Sequence, residues 1–374
     1  MKIRNMILTC ATAVVVLSVA ASASFATTLL PTVQVGDYGS ASGGAGNAAD
    51  VNGYGGANYS YAMGTTEVTN AQYADFLKDV ASAPQAGQAA ADPYGLYSNL
   101  MTFDTHGGIQ RSGAGTTVSP YQYAAKQGAD NKPVVFVSWY DAVRYCNYLT
   151  NKSNGWGLGT ETGGYAIANG GKDSGTVTVP TPAQRLQWAD PKKADANAND
   201  PAYYLLPTES EWYKAAYYKG GNGGAVNAGY WKFPTQSDNP PASQLPPGTN
   251  SVPGSANYTT TGTPLDAVKF TTPVGSYVYT ASKTAYGTSD QSGNVWEWTE
   301  TPLNSGSSQK ILRGGAYDTT ASTLAAYTGR SNGTASSGYT DVGFRIVMVP
   351  EPSSLAMLLA SAALAFIWWL RRRS

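Results

Sequence analysis

Chemistry in this sequence is bounded first by scarcity. There is one histidine, His106, and there are two cysteines, Cys10 and Cys146. A zinc or iron centre built from several histidines cannot be assembled within one chain, nor can a site needing four thiolates. Cys146 lies on an apolar helical stripe and reads as a buried, inert thiol. His106 stands in Thr105-His106-Gly107-Gly108 and reads as part of an exposed loop. Carboxylates are the remaining chemistry. Asp290 and Glu297 lie seven residues apart around Gly293 in Asp290-Gln291-Ser292-Gly293-Asn294-Val295-Trp296-Glu297-Trp298. A hard cation takes roughly six to eight oxygens from carboxylates and backbone carbonyls. On spacing alone, a surface turn carrying two solvated acids is the simpler reading. The alternation Trp296-Glu297-Trp298 puts both indoles on one strand face and the carboxylate on the other.

The elements that position these groups announce themselves by one device. Thr69-Asn70-Ala71-Gln72, Ser138-Trp139-Tyr140-Asp141 and Thr208-Glu209-Ser210-Glu211 each carry a helix-opening cap with an acceptor three residues on. Tyr73, Phe76, Leu77 and Val80 follow the first at i, i+3, i+4, i+7, and Trp139, Ala142, Val143 and Cys146 repeat the pattern. Short β signals stand at Val134–Val137, Val274–Tyr279, Ile311–Leu312 and Phe344–Val349. Gly numbers 42 among 374 residues and charged residues are only 13%, so long loops are expected. No fixed-period repeat and no linker interrupts residues 60–349, which favours one domain. Basic and acidic residues balance at 24 each, but five basic residues and only Glu351 among the acids lie in the terminal segments. The body is therefore net acidic and has no basic run, which argues against nucleic acid as a partner.

Six blocks in order resemble the formylglycine-generating enzyme family, also called the sulfatase-modifying-factor domain. They are Met63–Tyr73, Pro133–Ala142, Tyr204–Trp212, Asp290–Trp298, Leu312-Arg313-Gly314-Gly315-Ala316 and Gly343-Phe344-Arg345. The resemblance implies a loop-rich α+β single domain related to C-type lectins, with few short helices and strands. It also implies two cysteines after Arg-Gly-Gly that bind copper. Here the first position is Thr319 and the second falls near Leu324, and neither residue can ligate soft copper. No copper is expected, and the chain reads as a ligand-binding or surface module, with an enzyme of altered chemistry as the alternative. Related lectin-like domains use the segment after Arg-Gly-Gly as a contact surface. In this chain it holds Tyr317, Asp318, Tyr327, Arg330, Asn332, Tyr339 and Asp341. Transferred residue by residue, the family's calcium loop becomes Asp290, the carbonyls of Gly293 and Val295, and Glu297. A second calcium site would draw on Asn257, Tyr258 and Asp266, at a spacing that departs from the family pattern.

The ends read as addresses. Residues 1–26 have a secretory signal's form: Lys2 and Arg4, an apolar run from Ile7 to Ala21, and Ser24-Phe25-Ala26 as the cleavage site. Residues 27–349 are then the mature domain. At the other end, Pro350-Glu351-Pro352, the apolar run Leu355–Leu370 and Arg371, Arg372 and Arg373 resemble the PEP-CTERM sorting signal. At 1.5 Å per residue that run spans about 24 Å as a helix, short of the bilayer core. The resemblance implies an exported protein of a Gram-negative bacterium, anchored in the inner membrane as precursor through residues 355–370. An exosortase-type processing enzyme would handle it, and the cell surface or matrix, with exopolysaccharide or a surface protein as partner, would be its destination.

Overall fold

A computed structural model describes residues 30–36, 49–189, 201–220, 229–251, 253–326 and 328–349. The signal segment, Pro350-Glu351-Pro352, the run at 355–370 and Tyr327 lie outside the described residues.

All three expected caps form. Helix α1 (Asn70–Val80) is opened by Thr69, whose hydroxyl accepts from the Gln72 N–H while the Gln72 side chain accepts from the Thr69 N–H. Helix α2 (Trp139–Ser153) is opened in the same way by Ser138 and Asp141. A fourth box, Thr181 with Gln184, opens α3 (Pro182–Trp188) with proline in its first turn. Thr208 and Glu211 open α4 (Glu209–Tyr217). Each cap satisfies orphan backbone donors worth about 1 kcal/mol. The apolar face of α1 packs on α2 through aromatic edges: Phe76 lies 5.2 Å from Tyr145 and 5.0 Å from Tyr148 between ring centroids. Phe344 meets Tyr145 at 5.4 Å.

Two four-stranded sheets carry the frame. The first contains β1 (Thr32–Val35), β2 (Tyr61–Gly64) and β3 (Tyr203–Leu205). The second contains β4 (Trp296–Pro302), β5 (Gln309–Arg313), β6 (Arg330–Thr334) and β7 (Val342–Gly343). The last strand, β8 (Val347–Val349), returns to the first sheet, whose order is β1-β2-β8-β3 with every pairing antiparallel. The second has the order β6-β5-β4-β7, antiparallel except for the parallel β4·β7 pair. Phe344-Arg345-Ile346 thus crosses from one sheet to the other, and all three residues are buried.

Two expected strands do not exist. Val134–Val137 is irregular: Phe136 has a positive φ of 61°, and the segment bonds outward, Val134 N–H to the Val68 carbonyl and Phe136 N–H to that of Tyr339. Its apolarity reflects burial on all sides rather than a strand. Val274–Tyr279 is likewise a turn region, with Val278 63% exposed. Ile311–Leu312 lies inside β5, whereas only Val347–Val349 of the expected last strand is extended in a sheet.

Candidate functional site

The loop before β4 is folded by three left-handed residues, Asp290, Gly293 and Asn294, with φ of 63°, 81° and 66°. Asp and Asn tolerate that conformation better than most side chains. Gly293 has no substitute: a Cβ there would lie 2.1 Å from the Asn257 carbonyl oxygen. The loop is held by its backbone. The Gly293 N–H donates to the Gly314 carbonyl at 2.8 Å, Asn294 N–H to that of Asn257 at 2.8 Å, and Tyr317 N–H to that of Asn294 at 3.0 Å. The Asp290–Glu297 segment is therefore locked against both Asn257 and the Arg-Gly-Gly turn. The reading of a surface turn with solvated acids is corrected here. Asp290 is 7% exposed and Glu297 fully buried, because the Gly293 turn is packed inward.

Three carboxyls and one guanidinium meet beneath this loop. Arg345 grips Glu297 through Nε to Oε2 at 2.6 Å and Nη2 to Oε1 at 2.8 Å. Its other donors reach the carbonyls of Gly64 and Ser289, both at 2.9 Å. Trp212 Nε1 donates to Glu297 Oε2 at 2.7 Å. A carboxylate has about four lone-pair sites, so Glu297 retains one. Glu67 accepts from Asn294 Nδ2 at 2.9 Å through Oε1, and its carboxyl shares a hydrogen bond with Asp290. Asp290 Oδ2 accepts from the Gly275 N–H at 2.6 Å. Burial pushes Asp290 up to about 6, and burial, then the Asp290 charge, pushes Glu67 well above the carboxylate range. With Glu67 held as the neutral acid, one arginine faces the Glu297 and Asp290 charges in a dry site.

A cation of hard character fits that imbalance. Asn257 Oδ1 is a buried acceptor without a partner, and a cation would satisfy such a group, whereas Glu67, its carboxyl pushed well up, hydrogen-bonds Asp290. Among the described residues no group of three or more His, Cys, Asp or Glu side chains is arranged as a metal cluster. A cation at this loop would therefore take carbonyl oxygens, with Asp290 as the main charge and one lone pair of Glu297. The residues of the second expected site are each engaged in other hydrogen bonds. Asn257 is buried, with Nδ2 donating to the Phe270 carbonyl at 3.0 Å. The Tyr258 carbonyl already accepts from Ser243 Oγ at 2.6 Å. The Asp266 carboxylate accepts from the N–H groups of Val268 at 3.0 Å and Lys269 at 2.8 Å.

At the turn that follows Arg313, the positions carried over as copper ligands hold no soft donor. Thr319 Oγ1 accepts from the Ala316 N–H at 2.8 Å and from Thr323 Oγ1 at 2.8 Å, and donates to the Ala316 carbonyl at 2.9 Å. Leu324 is fully buried in an apolar cluster with Phe233, Ala256 and Tyr258. Cys146 is buried within α2, and burial pushes its thiol well up.

The contact candidates do not form one face. Tyr317 is only 2% exposed, lying under His106 with centroids 6.0 Å apart. His106 itself corrects the bare-loop reading. It is half-buried, stacks on Phe270 at 3.9 Å and bonds Asp104 Oδ1 through Nδ1 at 2.7 Å. Asp318 is exposed at the same place, and burial, then the Asp318 charge, pushes Asp341 up to about 6. Arg330 lies apart, bound to Glu209 Oε1 at 2.8 Å. Asn332 is exposed on β6, opposite Ile311. Tyr339 leans on Trp298 at 6.1 Å.

A comparison with protein-family models matches residues 54–349 to the sulfatase-modifying factor enzyme 1-like domain. The chain belongs to that family. Solved structures with similar folds include CarF, at 22% identity with a TM-score of 0.43 over 78% of this chain and 87% of that one. Treponema denticola variable protein 1 follows at 19% identity, TM-score 0.46, covering 85% and 95%. PvdO from Pseudomonas aeruginosa gives 16% identity, TM-score 0.38, covering 78% and 80%. No curated protein matches the chain.

In this sulfatase-modifying-factor domain the charged motif residues build the scaffold. Arg313 of the Arg-Gly-Gly turn donates from Nε to Glu209 at 2.8 Å and from Nη1 to the carbonyls of Ala326 at 2.6 Å and Gly329 at 3.0 Å. Glu211, two residues after Glu209, accepts from Arg185 Nη1 at 2.9 Å, and Arg185 Nη2 reaches Glu300 at 2.6 Å. Arg185 and Glu67 were not singled out from sequence. Neither stands in a recognisable spacing with its partners, and each lies among polar residues, Thr65-Thr66-Glu67 and Gln184-Arg185-Leu186-Gln187.

Proposed function

We propose that this chain is an exported sulfatase-modifying-factor-like module that binds a ligand, is stabilised by calcium, and does not form formylglycine. One observation carries the reading. At the two positions where the family's copper thiolates would stand, Thr319 spends its hydroxyl on local hydrogen bonds and Leu324 is buried in apolar contacts. Copper in its reduced form needs thiolate. The only described cysteine, Cys146, lies buried in the core of α2.

Calcium would be held at the Asp290 loop by Asp290, the carbonyls of Gly293 and Val295, and the remaining lone pair of Glu297. Its charge would offset the acid excess around Arg345. Support comes from the buried, unpartnered Oδ1 of Asn257 beside the loop. The segments at 1–26 and 350–374 supply the export reading and its exosortase-type partner, with the cell surface or matrix as destination. The test is thermal melting of the purified full-length chain with millimolar Ca²⁺ and with chelator. A ligand that binds only the folded state stabilises by about 2.7 kcal/mol at a hundredfold excess over Kd. The melting temperature should rise with calcium in the parent and not in Asp290→Ala. Indifference of the parent to calcium would remove the cation from this reading.

A further inference from the structure

A pocket of about 520 Å³ beside His106 gathers an excess of positive charge. Lys126, Lys132 and Lys269 all face it, and Asp266 is the one carboxylate among its described lining residues. That carboxylate is already committed to the N–H groups of Val268 and Lys269. Lys126 Nζ donates to the Asp104 carbonyl at 3.1 Å and Lys132 Nζ to the Lys269 carbonyl at 2.7 Å. An ammonium has three donors, so each keeps two. None of the three lysines forms an ion pair among the described residues. Burial lowers the pKa of both Lys126 and Lys132; at Lys132 the Asp266 charge opposes this and Lys269 adds like-charge repulsion. Three cations against one carboxylate, on an otherwise acidic body, is an excess of positive charge that an anion relieves.

Two further features describe the rest of the ligand. Asn70, 2% exposed, lines the pocket, and its amide donates to the carbonyls of Ala129 at 3.0 Å and Lys132 at 3.1 Å. Its Oδ1 is buried with no partner. A buried carbonyl oxygen in want of a donor suits a hydroxyl. On another wall, Leu245 and Val268 are 43% and 80% exposed, an apolar strip against which a ring can lie. We propose that this pocket binds an acidic sugar, a pyranose whose carboxylate meets the lysines and whose hydroxyl donates to Asn70. The proposal deepens, and rests on, the ligand-binding reading, and it places the contact beside the Tyr317 surface rather than on it.

The test is calorimetric titration of the full-length chain with galacturonic acid oligomers, with neutral glucose oligomers of equal length, and with inorganic sulfate. Variants are Lys126→Gln, Lys269→Gln and their double, each checked for an unchanged melting temperature. Neither side chain lies in the core. The acidic oligomers should bind at least tenfold more tightly than neutral ones. An exposed charge pair contributes up to about 1 kcal/mol, so each single variant should weaken them by about fivefold. Raised salt should weaken them too. Equal binding of neutral and acidic oligomers would overturn the proposal while leaving a carbohydrate-binding module. Sulfate binding as tightly as the acidic oligomer would overturn it by showing recognition of a bare anion. Parent-like affinity in the double variant would place the site elsewhere. Absence of any oligomer binding would overturn the pocket assignment, whereas the calcium melting test bears separately on the wider reading.

Discussion

The Asp290 carboxyl makes stability depend on pH in a direction opposite to that of an ordinary surface acid. Its folded value is pushed up to about 6 by burial, against an ordinary 3.8. A carboxyl raised on folding binds its proton more tightly in the folded state. Its contribution therefore favours folding below the folded pKa and fades as pH rises through it. For values of about 6 and 3.8, linkage gives about 1.4 kcal/mol more stability at pH 5 than at pH 7.5 from this group alone. Other buried acids, Asp341 among them, titrate in the same window, so the difference from Asp290→Asn isolates the term. Asparagine keeps the acceptor for the Gly275 N–H and tolerates the left-handed backbone. The assay is denaturant unfolding followed by tryptophan fluorescence at both pH values, in chelator. The parent should gain about 1 kcal/mol more than Asp290→Asn on going from pH 7.5 to pH 5. Equal pH dependence in parent and variant would refute the reasoning, and calcium should flatten the parent's profile.

Two further outcomes follow from named contacts. Gly293→Ala places a Cβ 2.1 Å from the Asn257 carbonyl at a φ of 81°. It should cost roughly 3 kcal/mol or more by strain and displacement of the loop; a melting temperature within a degree or two of the parent would contradict the packing described here. Deleting Leu355–Ser374 should abolish membrane retention of the precursor, while alanines at Pro350, Glu351 and Pro352 should block processing but leave retention. Fractionation showing both variants distributed like the parent would dismiss the sorting signal.

What sequence could tell was local. The capping boxes at Thr69, Ser138 and Thr208 specify helices within four residues, and each helix stands where its cap puts it. The Asp290–Trp298 block was legible as a motif, but its chemistry was not. Glu297 meets an arginine 48 positions on, and Asn294 meets Glu67 across 227. Nothing in a spacing pattern encodes such pairings. The same limit explains Val134–Val137, whose apolar run satisfies strand propensity while its N–H groups bond to Val68 and Tyr339. His106 reads as a loop residue until Phe270 and Tyr317 are brought against it by the fold.

The loss of formylglycine chemistry is tested most directly by mass spectrometry of a sulfatase-type peptide with a Cys-x-Pro-x-Arg core. The peptide is incubated with the purified full-length chain, copper, a thiol reductant and oxygen. With Thr319 and Leu324 in place of the two thiolates, the peptide should emerge unchanged in mass. Conversion of its cysteine thiol to an aldehyde, at a rate above that without protein, would contradict the reading of those two positions.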